Sequence, residues 1–127
     1  MTALAIDTET GISNKGNAFD AHNKLCAIGL RTESGQSYVY KIEHGAQPYG
    51  ETLQIIRDLV NNYDLIIGFA IKFDLTWLWQ YGIDLSDKKV WDCQLFEYLA
   101  SNQTWIYPDL AESGQKRGLT ISKDTAI

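Results

Sequence analysis

The chain has 127 residues, of which 45% are hydrophobic and 12% aromatic, which is enough apolar material for one globular domain with its own core. A formal net charge of −5 argues against a broad basic surface that grips duplex phosphates, because proteins of that kind are usually basic. No apolar run reaches the roughly 18 residues of a membrane span. No basic segment followed by a long apolar one opens the chain, so we expect a cytoplasmic protein.

Three strands are predicted in the first third of the chain, over residues 4–9, 24–31 and 37–42, because apolar and β-branched residues alternate or cluster there. Residues 11–23 are polar and contain several Gly and Asn, so they are predicted to form a long turn. Ser34 and Gly35 predict a tight turn between the second and third strands. We expect these three strands to form an antiparallel meander.

Helices and strands alternate in the rest of the chain. Apolar residues that recur every three or four positions predict a helix over residues 51–61, and a continuous apolar run at 65–69 predicts a strand covered on both faces. Three more helices are predicted over residues 74–81, 93–101 and 108–116, and a brief strand is predicted over residues 90–91. Asp92 is the expected N-cap of the helix that follows it, and Pro108 is expected in the first turn of the last helix. The predicted fold class is α/β, a mixed sheet of three antiparallel strands followed by β-α-β units, flanked by helices.

Asp7 and Glu9 stand two positions apart at the end of the first predicted strand. Side chains alternate along a strand, so both carboxylates lie on the same face and repel each other. No Lys or Arg occurs before Lys15, and a hard divalent cation such as Mg²⁺ or Mn²⁺ would relieve the repulsion. The alternative is a strand that leaves the core at Asp7 and continues as a polar turn, and the first ten residues by themselves favour that alternative.

Asp74 lies in the predicted first turn of the helix that follows the fourth strand. A negative charge is favourable there, so capping of the helix explains this residue without any further role. The second explanation comes from topology, because sites in open sheets form beyond the carboxyl ends of parallel strands. If strands one and four are adjacent and parallel, Asp7, Glu9 and Asp74 converge, with carboxyl groups roughly 4 to 7 Å apart around one or two ions.

Two motifs now carry a resemblance to a known family: Asp7-Thr8-Glu9, and residues 68–74, which read Gly-Phe-Ala-Ile-Lys-Phe-Asp. They resemble the 3′→5′ exonucleases that place four acidic residues on a ribonuclease H-like fold. The likeness is greatest to the proofreading domains of family A DNA polymerases, particularly those of phages. It covers nearly the whole chain and includes the stretches 77–82 and 90–95.

The resemblance implies a metal-dependent nuclease with Asp7, Glu9 and Asp74 as catalytic residues and metal ligands. Asp7 would ligate two Mg²⁺ or Mn²⁺ ions, Glu9 would hold one of them, and Asp74 would hold the second or its water shell. The implied reaction removes nucleoside 5′-monophosphates from the 3′ end of single-stranded DNA. One ion would activate water while the other, about 4 Å away, stabilised the leaving oxygen. If a phage encodes the chain, the implied location is the host cytoplasm.

Four residues beside these carboxylates are the substrate-binding candidates: Thr8, Phe69, Lys72 and Phe73. Aromatic rings near such a site would stack on the frayed terminal bases, and Tyr107 is a further candidate for that role. Core packing is the alternative for each of these aromatic residues, and it is the favoured one. The tryptophans at 77, 79 and 91 are expected in the core.

The sequence departs from the family at two places. Ala70 stands where the second motif usually carries Asn, which helps to hold the substrate or the neighbouring backbone. The third motif, Tyr-x-x-x-Asp or His-x-x-x-Asp, is not found, since Tyr98 is followed four residues later by Asn102. The acidic residues after Asp92 offer no convincing substitute; they are Glu97, Asp109, Glu112 and Asp124.

We therefore expect residues 1–127 to form a single exonuclease-like domain that is truncated at its C-terminal end and has reduced or no activity alone. A polymerase domain, or the missing C-terminal segment supplied by a separate chain, is the corresponding partner. The competing hypothesis is a catalytically silent module that binds nucleic-acid ends weakly or acts as an interaction scaffold.

Overall fold

One mixed sheet organises the computed structural model, which describes residues 2–43, 45, 48–106 and 108–119. Within these residues the sheet has five strands in the order β3-β2-β1-β4-β5. Their bounds are β1 Ala3–Thr10, β2 Leu25–Thr32, β3 Ser37–Lys41, β4 Leu65–Gly68 and β5 Lys89–Asp92. The first three strands pair antiparallel, while β4 pairs parallel with both β1 and β5. The predicted α/β fold with an initial antiparallel meander and ribonuclease H-like topology is confirmed.

The pairing of β1 with β4 positions the candidate site. Ala3 lies opposite Leu65 and Ala5 opposite Ile67 in a parallel register, so the two strands are direct neighbours. This confirms the predicted adjacency of strands one and four. Because β1, β4 and β5 are mutually parallel, their carboxyl ends meet at the same edge of the sheet.

Four α-helices accompany the sheet in the described residues: α1 Gly50–Val60, α2 Ile71–Gln80, α3 Cys93–Ala100 and α4 Leu110–Lys116. A short 3-10 helix, Ser13–Gly16, lies within the predicted long turn. Asp92 caps α3 as predicted, its side chain accepting a hydrogen bond from the Gln94 amide. Pro108 was expected in the first turn of the last helix, and that prediction is wrong: Asp109 is the N-cap of α4, so Pro108 precedes the helix.

Helix α2 begins at Ile71, three residues before its predicted start. Its N-cap is Ala70, which has left-handed backbone angles and no capping side-chain hydrogen bond. The sequence lacks the Ser, Thr, Asn or Asp that usually marks a helix start at this position, so the earlier boundary carries no local signal. Asp74 still lies in the first turn, as predicted.

The core lies on one face of the sheet, against α1 and α2. Along β1, the side chains of Leu4, Ile6 and Thr8 are buried, while those between them are more exposed. The most deeply buried apolar side chains join both helices to the strands; they include Leu4, Ile28, Ile56, Ile66, Trp77 and Leu78. Exposures of 59% for Trp79 and 49% for Trp91 show that the prediction of a core position is wrong for both. No helix in the described residues has the length and apolar character needed to cross a membrane.

Candidate active site

The three predicted carboxylates come from two neighbouring strands. Asp7 and Glu9 lie at the end of β1, on the face of that strand opposite to the buried Leu4, Ile6 and Thr8, and both are exposed. Asp74 follows the end of β4 through a short loop, and only 4% of it is exposed. The fold thus delivers these residues to one edge of the sheet although 66 positions of sequence separate Thr8 from Asp74.

A buried hydrogen bond joins the two motifs directly. The Thr8 hydroxyl donates to Oδ1 of Asp74, and both residues are buried within the core side of the sheet. Thr8 therefore orients the Asp74 carboxylate from the strand next to it. The sequence singled out Thr8 as a substrate contact; the structure places its hydroxyl against Asp74.

Burial raises the pKa of Asp74 to about 7. The hydrogen bonds with Thr8 lower this pKa, whereas the negative charges of Asp7 and Glu9 raise it further. Asp7 and Glu9 are therefore close enough to Asp74 for their negative charges to raise its pKa. Three acids whose charges oppose one another form a hard-oxygen donor set, which suits Mg²⁺ or Mn²⁺ in chemical type.

The side-chain positions do not yet match that chemistry. Over the described part of the chain, no three His, Cys, Asp or Glu side chains are arranged so that they could hold a metal ion. Asp74 is turned toward Thr8 on the core face, whereas Asp7 and Glu9 lie on the other face of β1. Binding of one ion by all three carboxylates would therefore require a different arrangement of these side chains.

The loop before α2 is held by Asp92, at the end of β5. Oδ1 of Asp92 accepts from the Ala70 amide at 3.0 Å and from the Gln94 amide at 3.0 Å. Ala70 has φ 54° and ψ 50°, a left-handed conformation that is unfavourable for a residue with a Cβ. The sequence predicted Asp92 only as a helix cap. Its contact with the Ala70 amide could have been predicted from its position at the end of a parallel strand.

The remaining substrate candidates lie around the first turn of α2. Lys72 is exposed, and Phe73 is 41% exposed although core packing was the favoured alternative for it. The Phe73 ring packs beside Trp77, with ring centroids 6.5 Å apart. Nε1 of Trp77 donates to the Gly16 carbonyl at 3.0 Å, so the 3-10 helix is fixed against α2. Phe69 is half-buried, and Tyr107 lies outside the described residues.

The family model of the 3′–5′ exonuclease of A-type DNA polymerases matches residues 1–126. The chain belongs to the 3′–5′ exonuclease family. Comparison with curated protein sequences gives no match.

Solved structures share the fold of this exonuclease-family chain. The nuclease NrnC of Brucella melitensis is 22% identical with a TM-score of 0.66, over 98% of this chain and 57% of that one. The same protein with bound Mg²⁺ gives a TM-score of 0.65 at 22% identity, over 96% of this chain and 56% of that one. The family B DNA polymerase of Pyrobaculum calidifontis is 20% identical with a TM-score of 0.52, over 67% of this chain and 11% of that one. The exonuclease-family chain thus spans little more than half of the nuclease and a small part of the polymerase.

Two acidic residues considered for the family's missing third motif have structural partners. Oδ1 of Asp109 accepts from the Glu112 amide at 2.8 Å and so caps α4. Glu97 on α3 is 2% exposed, and its Oε1 accepts from Nε of Arg117 at 2.6 Å and from the Ser113 hydroxyl at 3.1 Å. Burial raises the pKa of Glu97, but the hydrogen bonds from Arg117 and Ser113 outweigh this effect and leave the pKa below its usual value. Both carboxylates therefore stabilise the α3–α4 region.

Asp124, the last acidic residue considered, lies outside the described residues.

Proposed function

We propose that this chain is a metal-dependent 3′→5′ exonuclease domain that removes nucleoside 5′-monophosphates from the 3′ end of single-stranded DNA. The observation that carries the proposal is the parallel pairing of β1 with β4, which delivers Asp7, Glu9 and Asp74 to one sheet edge in a chain of the exonuclease family. These three residues are the proposed catalytic residues and the proposed ligands of Mg²⁺ or Mn²⁺. Bound ions would supply Lewis acidity at the scissile phosphate and at the leaving oxygen.

Side chains of this chain would position the metal ions and the DNA strand. Asp7 and Glu9 are exposed on their face of β1, where a cation and a phosphate have access. Asp74 has a pKa of about 7 without a cation, so ion binding near neutral pH would displace a proton from it. Lys72 and Phe73 are exposed in the first turn of α2, two residues and one residue before Asp74, where an ammonium group suits a phosphate and a ring suits a terminal base.

We also propose that residues 1–127 form one domain that receives its third acidic motif from further polypeptide, either the rest of a polymerase or a separate chain. Support comes from Glu97 and Asp109, which are engaged in structural hydrogen bonds. Support comes also from apolar side chains on α3 and α4 that are about half exposed, namely Leu95, Leu99 and Leu110. A further segment packed there would cover them.

The test of the catalytic proposal is release of mononucleotides from a 3′-labelled single-stranded oligonucleotide in Mn²⁺. We expect slow release that Asp7→Ala abolishes, and faster release after addition of a segment carrying Tyr-x-x-x-Asp. Loss of a positioned acid–base partner costs on the order of 10² to 10⁴ in rate. Rapid, Asp7-dependent release by the 127-residue chain alone would contradict the truncation proposal and direct mutagenesis to Asp109, Glu112 and Asp124.

A silent module that binds nucleic-acid ends is the second candidate function. The orientation of Asp74 toward Thr8 favours it, because the carboxylates are not arranged as a metal site in the described residues. Thermal melting with and without Mn²⁺ separates the two candidates, since a cation that binds the native state raises the melting temperature. An equal Mn²⁺ shift in the parent and in Asp7→Ala would favour the silent module.

A further inference from the structure

Asp92 is the last residue of β5, which lies beside β4 in a parallel register. Its direct partner across the pair is Gly68, the last residue of β4. The half-buried Asp92 side chain thus lies at the sheet edge where β1 and β4 also end. Its Oδ1 atom accepts hydrogen bonds from two amides, those of Gln94 and Ala70, each at 3.0 Å. The bond from Gln94 caps α3, and the bond from Ala70 reaches across to the loop before α2.

The start of α2 depends on contacts from outside the helix. Ala70, at the N-cap position, makes no capping side-chain hydrogen bond, and its φ of 54° is unfavourable for a residue with a Cβ. Such a conformation persists only where the surrounding structure holds it. The bond from the Ala70 amide to Asp92 is one contact that does so. The packing of Ile71 on Gly68 is another, so close that a Cβ added to Gly68 would lie 2.8 Å from Cγ1 of Ile71.

The position of Asp74 follows from the position of this helix start. The Ala70 carbonyl accepts a hydrogen bond from the Phe73 amide at 3.2 Å, which closes the first turn of α2 directly before Asp74. A shift of the helix start by one residue would move Asp74 by about 1.5 Å along the axis and turn it by about 100°. That displacement would take Oδ1 of Asp74 away from the Thr8 hydroxyl and change its distance from the carboxylates at the end of β1.

We propose that Asp92 is a positioning residue for the candidate active site: its bond to the Ala70 amide sets the start of α2 and thereby holds the Asp74 carboxylate beside the end of β1. Asp92 acts through the backbone and contacts neither an ion nor the substrate. The proposal rests on the proposed function, because Asp74 is one of the proposed metal ligands. Loss of a group that orients a metal ligand typically weakens metal binding by about 10- to 100-fold.

The first measurement is Mn²⁺ affinity of the full chain, from the electron paramagnetic resonance signal of the free ion. Asp92→Ala should weaken Mn²⁺ binding by about 10- to 100-fold. Asp92→Asn should remain within about threefold of the parent, because the asparagine oxygen can accept both amide hydrogen bonds. Asp109→Ala is the matched control, since Asp109 likewise caps a helix by accepting from the Glu112 amide at 2.8 Å. It should lose stability and keep the Mn²⁺ affinity of the parent.

The second measurement needs no metal. Urea unfolding in EDTA of Asp92→Ala, Thr8→Val and the double variant gives the coupling between the two positions. If Asp92 positions Asp74, Thr8→Val should cost less in the Asp92→Ala background, because the displaced Asp74 no longer accepts the Thr8 hydroxyl. The coupling should change the unfolding equilibrium constant by about threefold or more. Thr8→Val and Asp109→Ala should be additive, since the bond of Asp109 lies within α4.

Asp92→Ser guards against a folding defect in Asp92→Ala. Serine is a good N-cap and can keep the bond to the Gln94 amide, but its side chain is one atom shorter and should not reach the Ala70 amide. It should therefore retain α3 by circular dichroism, weaken Mn²⁺ binding as Asp92→Ala does, and replace that variant in the coupling measurement if Asp92→Ala does not fold.

Three results would overturn the positioning role of Asp92. They are parental Mn²⁺ affinity in Asp92→Ala or Asp92→Ser, an equal loss of affinity in Asp92→Asn and Asp92→Ala, and additive effects of the Asp92 and Thr8 substitutions in EDTA. Failure of the proposed function has a different result, in which the parent and Asp7→Ala bind Mn²⁺ equally. The coupling in EDTA would then still decide whether Asp92 sets the position of Asp74.

Discussion

Replacement of Asp74 by Asn should make the metal-free protein more stable above neutral pH. The Asp74 carboxyl has a pKa of about 7 in the native state against an ordinary value of 3.8. The native state therefore binds this proton more tightly than the unfolded state does, and the free energy of unfolding falls as the pH rises from about 4 to about 7. One pKa unit corresponds to about 1.4 kcal/mol, so the full effect above pH 7 is about 4 kcal/mol.

The substitution preserves the local contact while removing the charge. Oδ1 of Asn can accept a hydrogen bond from the Thr8 hydroxyl in the same way. Between pH 5 and pH 8 we expect the unfolding free energy of the parent to fall by about 2 to 3 kcal/mol through Asp74 alone. Asp74→Asn should lack this component and should be the more stable protein at pH 8 in EDTA.

Urea unfolding followed by tryptophan fluorescence at several pH values measures the effect. Asp87→Asn is the control, because Asp87 is an exposed aspartate in the loop before β5 and its replacement changes the net charge equally. An identical pH dependence in the parent and in Asp74→Asn would refute the argument that burial and the β1 carboxylates oppose ionisation of Asp74. Mn²⁺ should reverse the order of stability, since the ion favours the ionised carboxylate that only the parent can provide.

Three further substitutions test the supports of the site by the same urea measurement. Ala70→Gly should stabilise the chain by about 0.5–1 kcal/mol, because relief of the left-handed φ of 54° exceeds the entropy that glycine adds to the unfolded state. Ala21→Gly, in an exposed turn, should only destabilise the chain, because glycine adds entropy to the unfolded state. Equal decreases in the free energy of unfolding for Ala70→Gly and Ala21→Gly would argue against strain at Ala70. Gly16→Ala should destabilise by about 1–3 kcal/mol, because its Cβ would lie 3.0 Å from Cε2 of Phe73 at a φ of 76°; a neutral effect would mean that the ring yields. Trp77→Phe should cost about 1 kcal/mol through the lost bond to the Gly16 carbonyl, and more if the core repacks poorly.

The parallel pairing of β1 with β4 could be predicted from the sequence because acidic residues marked the ends of these two strands. Asp7, Glu9 and Asp74 have a common purpose only if strands one and four are parallel neighbours, and the observed register has that arrangement. Local chemistry was sufficient for the helix that Asp92 caps and for the end of α2, where Gly82 has a φ of 82°. These features depend on contacts between residues close in the sequence.

The features that could not be predicted depend on contacts between distant residues. Helix α2 starts at Ile71 because Asp92, 22 residues from Ala70, holds the loop amide in place of a local cap. The bond from Thr8 to Asp74 likewise joins positions with no local relation. The exposure of Trp79 could have been predicted from helical geometry, because two residues span about 200° around the helix axis and Trp77 faces the core.

The parallel β1–β4 pair has a consequence for the folding kinetics of the chain. The strands β1, β2 and β3 follow one another closely, whereas pairing of Ala3 with Leu65 closes a loop of about sixty residues. Contacts of such long range slow the search for the native state, so we expect the meander to form before β4 joins β1. Asp7 and Asp74 are therefore far apart until β4 pairs with β1, and their carboxylates repel each other only in the native state. A divalent cation bound between them would act after the rate-limiting step, slowing unfolding while leaving the folding rate unchanged.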